Sequence, residues 1–156
     1  MDLDSFTGGY NRAYAVVNIE AVRRNILKSR EFLPENTGII AVIKTDAYGH
    51  GAAKVADAVK DITAGFAVAT IDEAVELREA GITSHIIVLG YISPREYVAA
   101  IEHDIILSMF DYKQACALSE LAGAMGKCGR CHIKIDTGMN RIGLPAKLPD
   151  DIIPTV

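Results

Sequence analysis

The chain carries the sequence IIAVIKTDAYGHG at residues 39–51, an apolar run that ends in a lysine and a glycine-containing loop. Short runs that are apolar and rich in β-branched residues are typical of strands buried on both faces of a parallel sheet. Similar runs follow at residues 66–69, 86–89, 105–108 and 132–135. The pattern therefore predicts five strands.

Helical segments separate these runs. The periodicity predicts a helix over residues 19–33 before the first strand and another over residues 52–62. Three further helices begin at side chains suited to cap a helix N-terminus. These are Thr70 with Glu73, Ser93 before Pro94, and Asp111 with Gln114. Alternation of strand and helix predicts βα repeats around a parallel sheet, the α/β fold class.

The length of 156 residues leaves two architectures open. A closed eight-stranded barrel typically needs about 250 residues. An open, doubly wound sheet of five strands fits the available chain. Length alone therefore favours the open sheet.

Composition excludes several classes of protein. Sixteen Lys and Arg against twenty Asp and Glu give a net charge of −4, which argues against non-specific binding of nucleic acid. The acidic N-terminus and the strand-sized apolar runs predict neither a secretory signal nor a membrane span. Three cysteines are too few for a disulfide framework, so we expect a reducing cytoplasm.

Lys44 directly follows the first predicted strand, and parallel sheets place ligand chemistry at the carboxyl ends of their strands. A partly desolvated lysine amine there is a nucleophile towards carbonyl groups, although a solvated loop lysine fits the position too. Tyr48 offers a hydroxyl and an aromatic face nearby. His50 is either a base or, more commonly at a helix start, a cap.

Residues 132–143 form a second candidate stretch. Alternation places His132, Lys134 and Asp136 on one face of a strand, and Arg141 follows a turn at Gly138. A planar guanidinium there is suited to bind a carboxylate or a phenolate. An edge strand with one solvated face explains the same pattern.

The remaining cysteine, glycine and acidic motifs do not predict a further functional site. The pair Cys128 and Cys131 lacks the second pair that zinc needs, so we expect no metal site. No phosphate-binding glycine motif of the dinucleotide or nucleotide type is present. Asp72, Glu73 and Glu76 are interpreted as a charged helix start that favours the helix dipole.

The two candidate stretches together resemble a known family. Residues 41–51 resemble the pyridoxal-phosphate attachment segment of bacterial alanine racemases. Residues 132–143 resemble the second signature of that family, a lysine-containing strand followed by Asp-Thr-Gly-Met-x-Arg. Order and spacing match over about residues 10–145, with Thr45 and Asn140 as minor departures. The resemblance implies an isomerase that interconverts L- and D-alanine and supplies D-alanine for peptidoglycan.

The resemblance also implies a role for five residues. Lys44 would attach pyridoxal 5'-phosphate and act as one of two catalytic bases. Tyr48 would reach the cofactor phosphate, and Leu89 would lie against the pyridine ring. Arg141 would bind the phenolic oxygen of the cofactor and the substrate carboxylate. Lys134 matches a lysine that is carbamylated in many members and then positions the arginine.

The family fold is a (β/α)8 TIM barrel followed by a β-rich domain, in a homodimer. The resemblance therefore implies that residues 1–156 form a single partial barrel of about five strands, without the C-terminal β-domain. We expect such a chain to self-associate, because a partial barrel leaves open sheet edges. We also expect it to be inactive alone, because in this family a tyrosine of the β-domain supplies the second base. Alternatives are a serine racemase of the same family and a non-catalytic carrier or binding protein for pyridoxal phosphate.

Overall fold

Five parallel strands form the sheet that the sequence predicts. The computed structural model describes residues 15–145, so residues 1–14 and 146–156 of the expected domain lie outside the described residues. The strands are β1 (Ile40–Val42), β2 (Gly65–Val68), β3 (His85–Val88), β4 (Ile106–Met109) and β5 (Arg130–Ile133). The short strands β6 (Ile135–Asp136) and β7 (Leu144–Pro145) pair with each other beyond this sheet.

Helices connect the strands. They are α1 (Ile19–Arg30), α2 (Ala52–Val59), α3 (Ile71–Glu79), α4 (Tyr97–Glu102) and α5 (Tyr112–Ala124). A single turn over Lys44–Gly49 lies between β1 and α2, and a 3₁₀ turn over Pro94–Glu96 precedes α4. The predicted elements are all present, although their ends shift by a few residues.

The order of the strands decides between the two architectures. Each strand pairs in parallel with the next one in the chain, so the sheet runs β1-β2-β3-β4-β5. A doubly wound sheet reverses its order at a switch point and carries helices on both faces. Without a reversal, right-handed crossovers put the connecting helices on one face. The expectation from length alone is therefore wrong, and the sheet is wound like five consecutive units of a (β/α)8 barrel.

The core lies between the helices and one face of the sheet. Phe66, Ile86 and Leu107 of successive strands are at most 1% exposed and belong to one apolar cluster with Leu77 of α3. Burial of such side chains contributes about 1.5–3 kcal/mol each. Val42, on the edge strand β1, remains 42% exposed. The helix-covered face therefore supplies most of the packing.

Arg78 joins the loops at the amino edge of the sheet. Its guanidinium donates hydrogen bonds of 2.7–2.9 Å to the backbone carbonyls of Ile82, Ser84, His103 and Asp104. Burial lowers the pKa of this arginine. The bonds connect the loop after α3 with the loop after α4, which precede β3 and β4.

We expect Arg78→Ala to lower the free energy of unfolding by about 2 kcal/mol or more, because four carbonyls lose a charged donor. Urea denaturation followed by circular dichroism measures the effect. Arg95→Ala removes an exposed arginine as the matched control and should change the free energy by less than about 0.5 kcal/mol. Equal effects of the two substitutions would contradict this role.

Candidate functional site

Lys44 is the second residue after β1 and lies at the carboxyl edge of the sheet. The preceding Ile43 is 3% exposed, and its N–H donates to the carbonyl of Ala67 in β2 at 2.9 Å. Lys44 itself is half-buried. The ladder between β1 and β2 therefore fixes the backbone up to this lysine.

A turn of left-handed helix follows Lys44. Thr45, Asp46, Ala47 and Tyr48 have φ values of 54°, 52°, 52° and 56°. For residues with a side chain, this conformation costs roughly 1–2 kcal/mol each. Neither Thr nor Ala nor Tyr favours it, so the sequence predicted only a glycine-containing loop. Such strain persists only where the surrounding structure imposes it, and it concentrates at functional sites.

Asp46 and Ala47 hold the middle of this turn. The carboxylate of Asp46 accepts a hydrogen bond from the backbone N–H of Ala52, the first residue of α2, at 2.6 Å. Ala47 is 6% exposed, and its N–H donates to the carbonyl of Ile43 at 2.9 Å. The turn is thereby tied to β1 on one side and to α2 on the other.

His50 closes the turn. Its Nδ1 lies 2.9 Å from the carbonyl oxygen of Ala47 and 3.2 Å from that of Tyr48, so a protonated Nδ1 donates to both. His50 therefore caps the end of the left-handed turn, whereas the N-cap position of α2 is Gly51. The side chain of Tyr48 is 61% exposed.

Glu73 holds the beginning of the turn. Its Oε1 accepts a hydrogen bond of 2.7 Å from the backbone N–H of Thr45, and its Oε2 accepts one of 2.7 Å from that of Ala69. Sequence reasoning assigned Glu73 to the N-terminus of α3 and missed its contact with Thr45. The capping pattern was the only signal, and it says nothing about a partner 28 positions away.

Lys134 and Leu89 meet at the same edge. The backbone N–H of Lys134 donates to the carbonyl of Met109 at 2.7 Å, and its Nζ donates to the carbonyl of Leu89 at 3.0 Å. Leu89 is half-buried, and its own N–H donates to the carbonyl of Val68 at 2.9 Å. Lys44, Leu89 and Lys134 therefore follow three strands whose carboxyl ends share one edge.

Arg141 lies beyond a loop that Asp136 organises. Oδ1 of Asp136 accepts hydrogen bonds from the backbone N–H groups of Gly138 at 2.9 Å and Asn140 at 3.0 Å. The hydrogen bonds from the backbone N–H groups of Asn140 and Gly138 hold the pKa of Asp136 below its ordinary value. Asn140 has a φ of 55°, which asparagine tolerates better than most residues. Arg141 is exposed. The family resemblance implies that Lys134 positions this arginine, but within residues 15–145 the Nζ of Lys134 donates its hydrogen bond to the carbonyl of Leu89.

The cysteines and the helices provide no metal site or membrane span within residues 15–145. Cys128 and Cys131 are exposed and unpaired, and residues 15–145 contain no group of three His, Cys, Asp or Glu side chains placed to hold a metal ion. None of the helices described for this chain is long and apolar enough to cross a bilayer.

Comparison with known proteins gives a consistent result. A family model described as alanine racemase, N-terminal domain, matches residues 17–155. Alanine racemase 2 of Oceanobacillus iheyensis is 39% identical over 143 residues, which cover 90% of this chain and 36% of the relative. The chain thus spans about a third of the length of this curated relative.

Solved structures share the fold. Alanine racemase of Clostridium difficile 630 has a TM-score of 0.84 and 35% identity, with 89% of this chain and 37% of that chain covered. A histidine racemase of Leuconostoc mesenteroides has a TM-score of 0.80 and 29% identity, with the same coverage of 89% and 37%. The sheet therefore corresponds to the first part of a TIM-barrel domain.

The Asp136 loop generates a pH prediction. A carboxylate whose pKa is lowered on folding stabilises the loop at neutral pH, and its contribution is lost only as the pH falls through the lowered pKa. In an NMR titration, we expect the carboxyl carbon of Asp136 and the amide of Gly138 to titrate together, below the value of about 3.9 for an unfolded aspartate. A shared midpoint at or above that value would contradict the geometry.

Proposed function

We propose, because this chain belongs to the alanine racemase N-terminal domain family, that it is the N-terminal part of a pyridoxal-phosphate-dependent enzyme that interconverts L- and D-alanine. The observation that carries the proposal is the position of Lys44. Lys44 carries a primary amine at the carboxyl edge of a barrel-type sheet, in front of a strained turn that hydrogen bonds to α2 and α3 hold in place.

The chemistry of the residues at this edge fits the cofactor. Pyridoxal 5'-phosphate carries an aldehyde, an aromatic ring with a phenolic oxygen, and a phosphate. Lys44 offers an amine for the aldehyde, and the half-buried Leu89 offers an apolar side chain for the ring. The exposed Arg141 and Tyr48 offer donors for the phenolic oxygen and the phosphate. When bound, the cofactor withdraws electrons from the substrate and makes the α-proton acidic.

Within this proposal, the residues of the chain orient groups and move one proton. The amine of Lys44 takes the α-proton from one face of the substrate or returns it there. Arg141 binds the substrate carboxylate. Lys134 holds its place through the carbonyl of Leu89, and a carbamylated Nζ keeps one N–H, enough for that bond. Racemisation also needs a proton donor on the opposite face, which the family resemblance assigns to a tyrosine of the β-domain and to none of residues 1–156.

We also propose that residues 1–156 form one partial barrel domain and that the chain forms a homo-oligomer. Among the described strands, β1 and β5 each pair on one side only. Ile40 and Val42 of β1 are 43% and 42% exposed, and an unpaired edge with exposed apolar residues favours association. The free cysteines are consistent with a cytoplasmic location.

Solved structures similar to this chain include racemases of different amino acids. The structural likeness to a histidine racemase supports a second candidate, a racemase of another amino acid on the same barrel. A serine racemase of this family remains an alternative for the same reason. A non-catalytic carrier of pyridoxal phosphate is disfavoured by the second signature, which carries Asp136 and Arg141. Comparison of alanine, serine and histidine as substrates of the full-length parent enzyme separates these candidates.

Covalent labelling tests the proposal on the chain itself. Titration with pyridoxal phosphate, borohydride reduction and peptide mapping should give one label per chain, at Lys44, because its backbone is fixed at the sheet edge. Lys44→Ala should abolish the label. Lys54→Ala, which removes an exposed lysine of α2, should leave it unchanged. Label scattered over surface lysines, or absent from the unsubstituted chain, would contradict the proposed function.

A further inference from the structure

Glu73 joins the carboxyl ends of two neighbouring strands. It lies in the first turn of α3 and is half-buried. One oxygen of its carboxylate accepts from the N–H of Thr45, after β1, and the other accepts from the N–H of Ala69, after β2, each at 2.7 Å. The two contacts use different oxygens, so a single carboxylate bridges both strand ends.

Capping of α3 does not account for this arrangement. In a capping box, the glutamate side chain accepts from the N–H of the N-cap residue, here Thr70. That contact is present but long, at 3.4 Å. The bond from Thr45 is 2.7 Å and comes from a residue 28 positions away. The carboxylate therefore makes its shorter contacts beyond its own helix.

The contact with Thr45 bears directly on Lys44. The N–H of Thr45 belongs to the peptide that links Lys44 to Thr45, and Thr45 is the first of the residues with positive φ. Rotation of this peptide would move the Lys44 carbonyl and release the strained turn. A charged acceptor at 2.7 Å opposes that rotation.

We propose that Glu73 is a positioning residue for Lys44: its carboxylate fixes the Lys44–Thr45 peptide and so sets where the Lys44 amine stands at the sheet edge. The proposal rests on the proposed function in taking Lys44 as the amine that attaches the cofactor. Glu73 does not itself contact substrate or cofactor in this role.

Four substitutions separate positioning from helix capping. Glu73→Ala removes both bonds, whereas Glu73→Gln keeps one acceptor oxygen and can satisfy only one of the two N–H groups. Thr70→Ala removes the hydroxyl that accepts from the N–H of Glu73 and leaves the carboxylate intact. Glu76→Gln changes an exposed glutamate of the same helix. All four are compared by Tm, and we expect Thr70→Ala to lower it by roughly 2–4 °C, as for loss of a cap.

Limited trypsin digestion of the cofactor-free chain measures the Lys44–Thr45 peptide directly. The rate of cleavage after Lys44 is divided by the rate of cleavage after Lys127, an exposed lysine that follows α5. A change in global unfolding alters both rates, so the ratio reports local opening at Lys44. We expect Glu73→Ala to raise this ratio about tenfold, the equivalent of one charge-assisted hydrogen bond. Glu73→Gln should raise it less, and Thr70→Ala and Glu76→Gln should leave it unchanged. An unchanged ratio in both Glu73 variants, or an equal rise in Thr70→Ala, would overturn the proposal.

The labelling experiment separates this proposal from the proposed function. We expect pyridoxal phosphate and borohydride to label Lys44 less completely in the Glu73 variants than in Thr70→Ala. Full labelling of Lys44 in folded Glu73→Ala would overturn the positioning role while the proposed function stands. Absence of label in the unsubstituted chain would contradict the proposed function, and the trypsin ratio would still decide the role of Glu73.

Discussion

Hydrogen bonds from neighbouring elements hold Thr45–Tyr48 in a left-handed conformation that these residues do not favour alone. The carboxylate of Glu73 accepts from the N–H of Thr45, at the start of the turn, and that of Asp46 accepts from the N–H of Ala52, the first residue of α2. Each carboxylate sits on, or binds to, a helix packed in the core, so these contacts tie the turn to α2 and α3. The position of Lys44 follows from this constraint.

The two edges of the sheet are organised in different ways. At the amino edge, Arg78 satisfies backbone carbonyls with a single guanidinium and contributes to stability. At the carboxyl edge, carboxylates satisfy backbone N–H groups, and no hydrogen bond within residues 15–145 engages the amine of Lys44 or the guanidinium of Arg141. Parallel strands bring chemical groups from separate βα units to one edge, which is why barrel folds place their sites there.

Local sequence patterns predicted the strands and the helix starts, because residues close together in the chain determine both. The capping residues Thr70 and Asp111 accept from backbone N–H groups within three positions, and each apolar run indicates a buried strand by its own composition. Position after a strand was also sufficient to single out Lys44. Chain length gave the wrong winding, because it limits the number of units without fixing their order. The left-handed turn and the contact of Glu73 with Thr45 depend on residues far apart in the chain, and no short pattern contains them.

NMR detection of a scalar coupling across the hydrogen bond between the Thr45 amide nitrogen and the Glu73 side-chain carboxyl carbon tests this account most directly. The geometry predicts a measurable coupling, together with slow exchange of the Thr45 and Ala69 amide protons with solvent. Absence of the coupling, with both amides exchanging as fast as in an unfolded peptide, would show that Glu73 does not hold the turn that places Lys44.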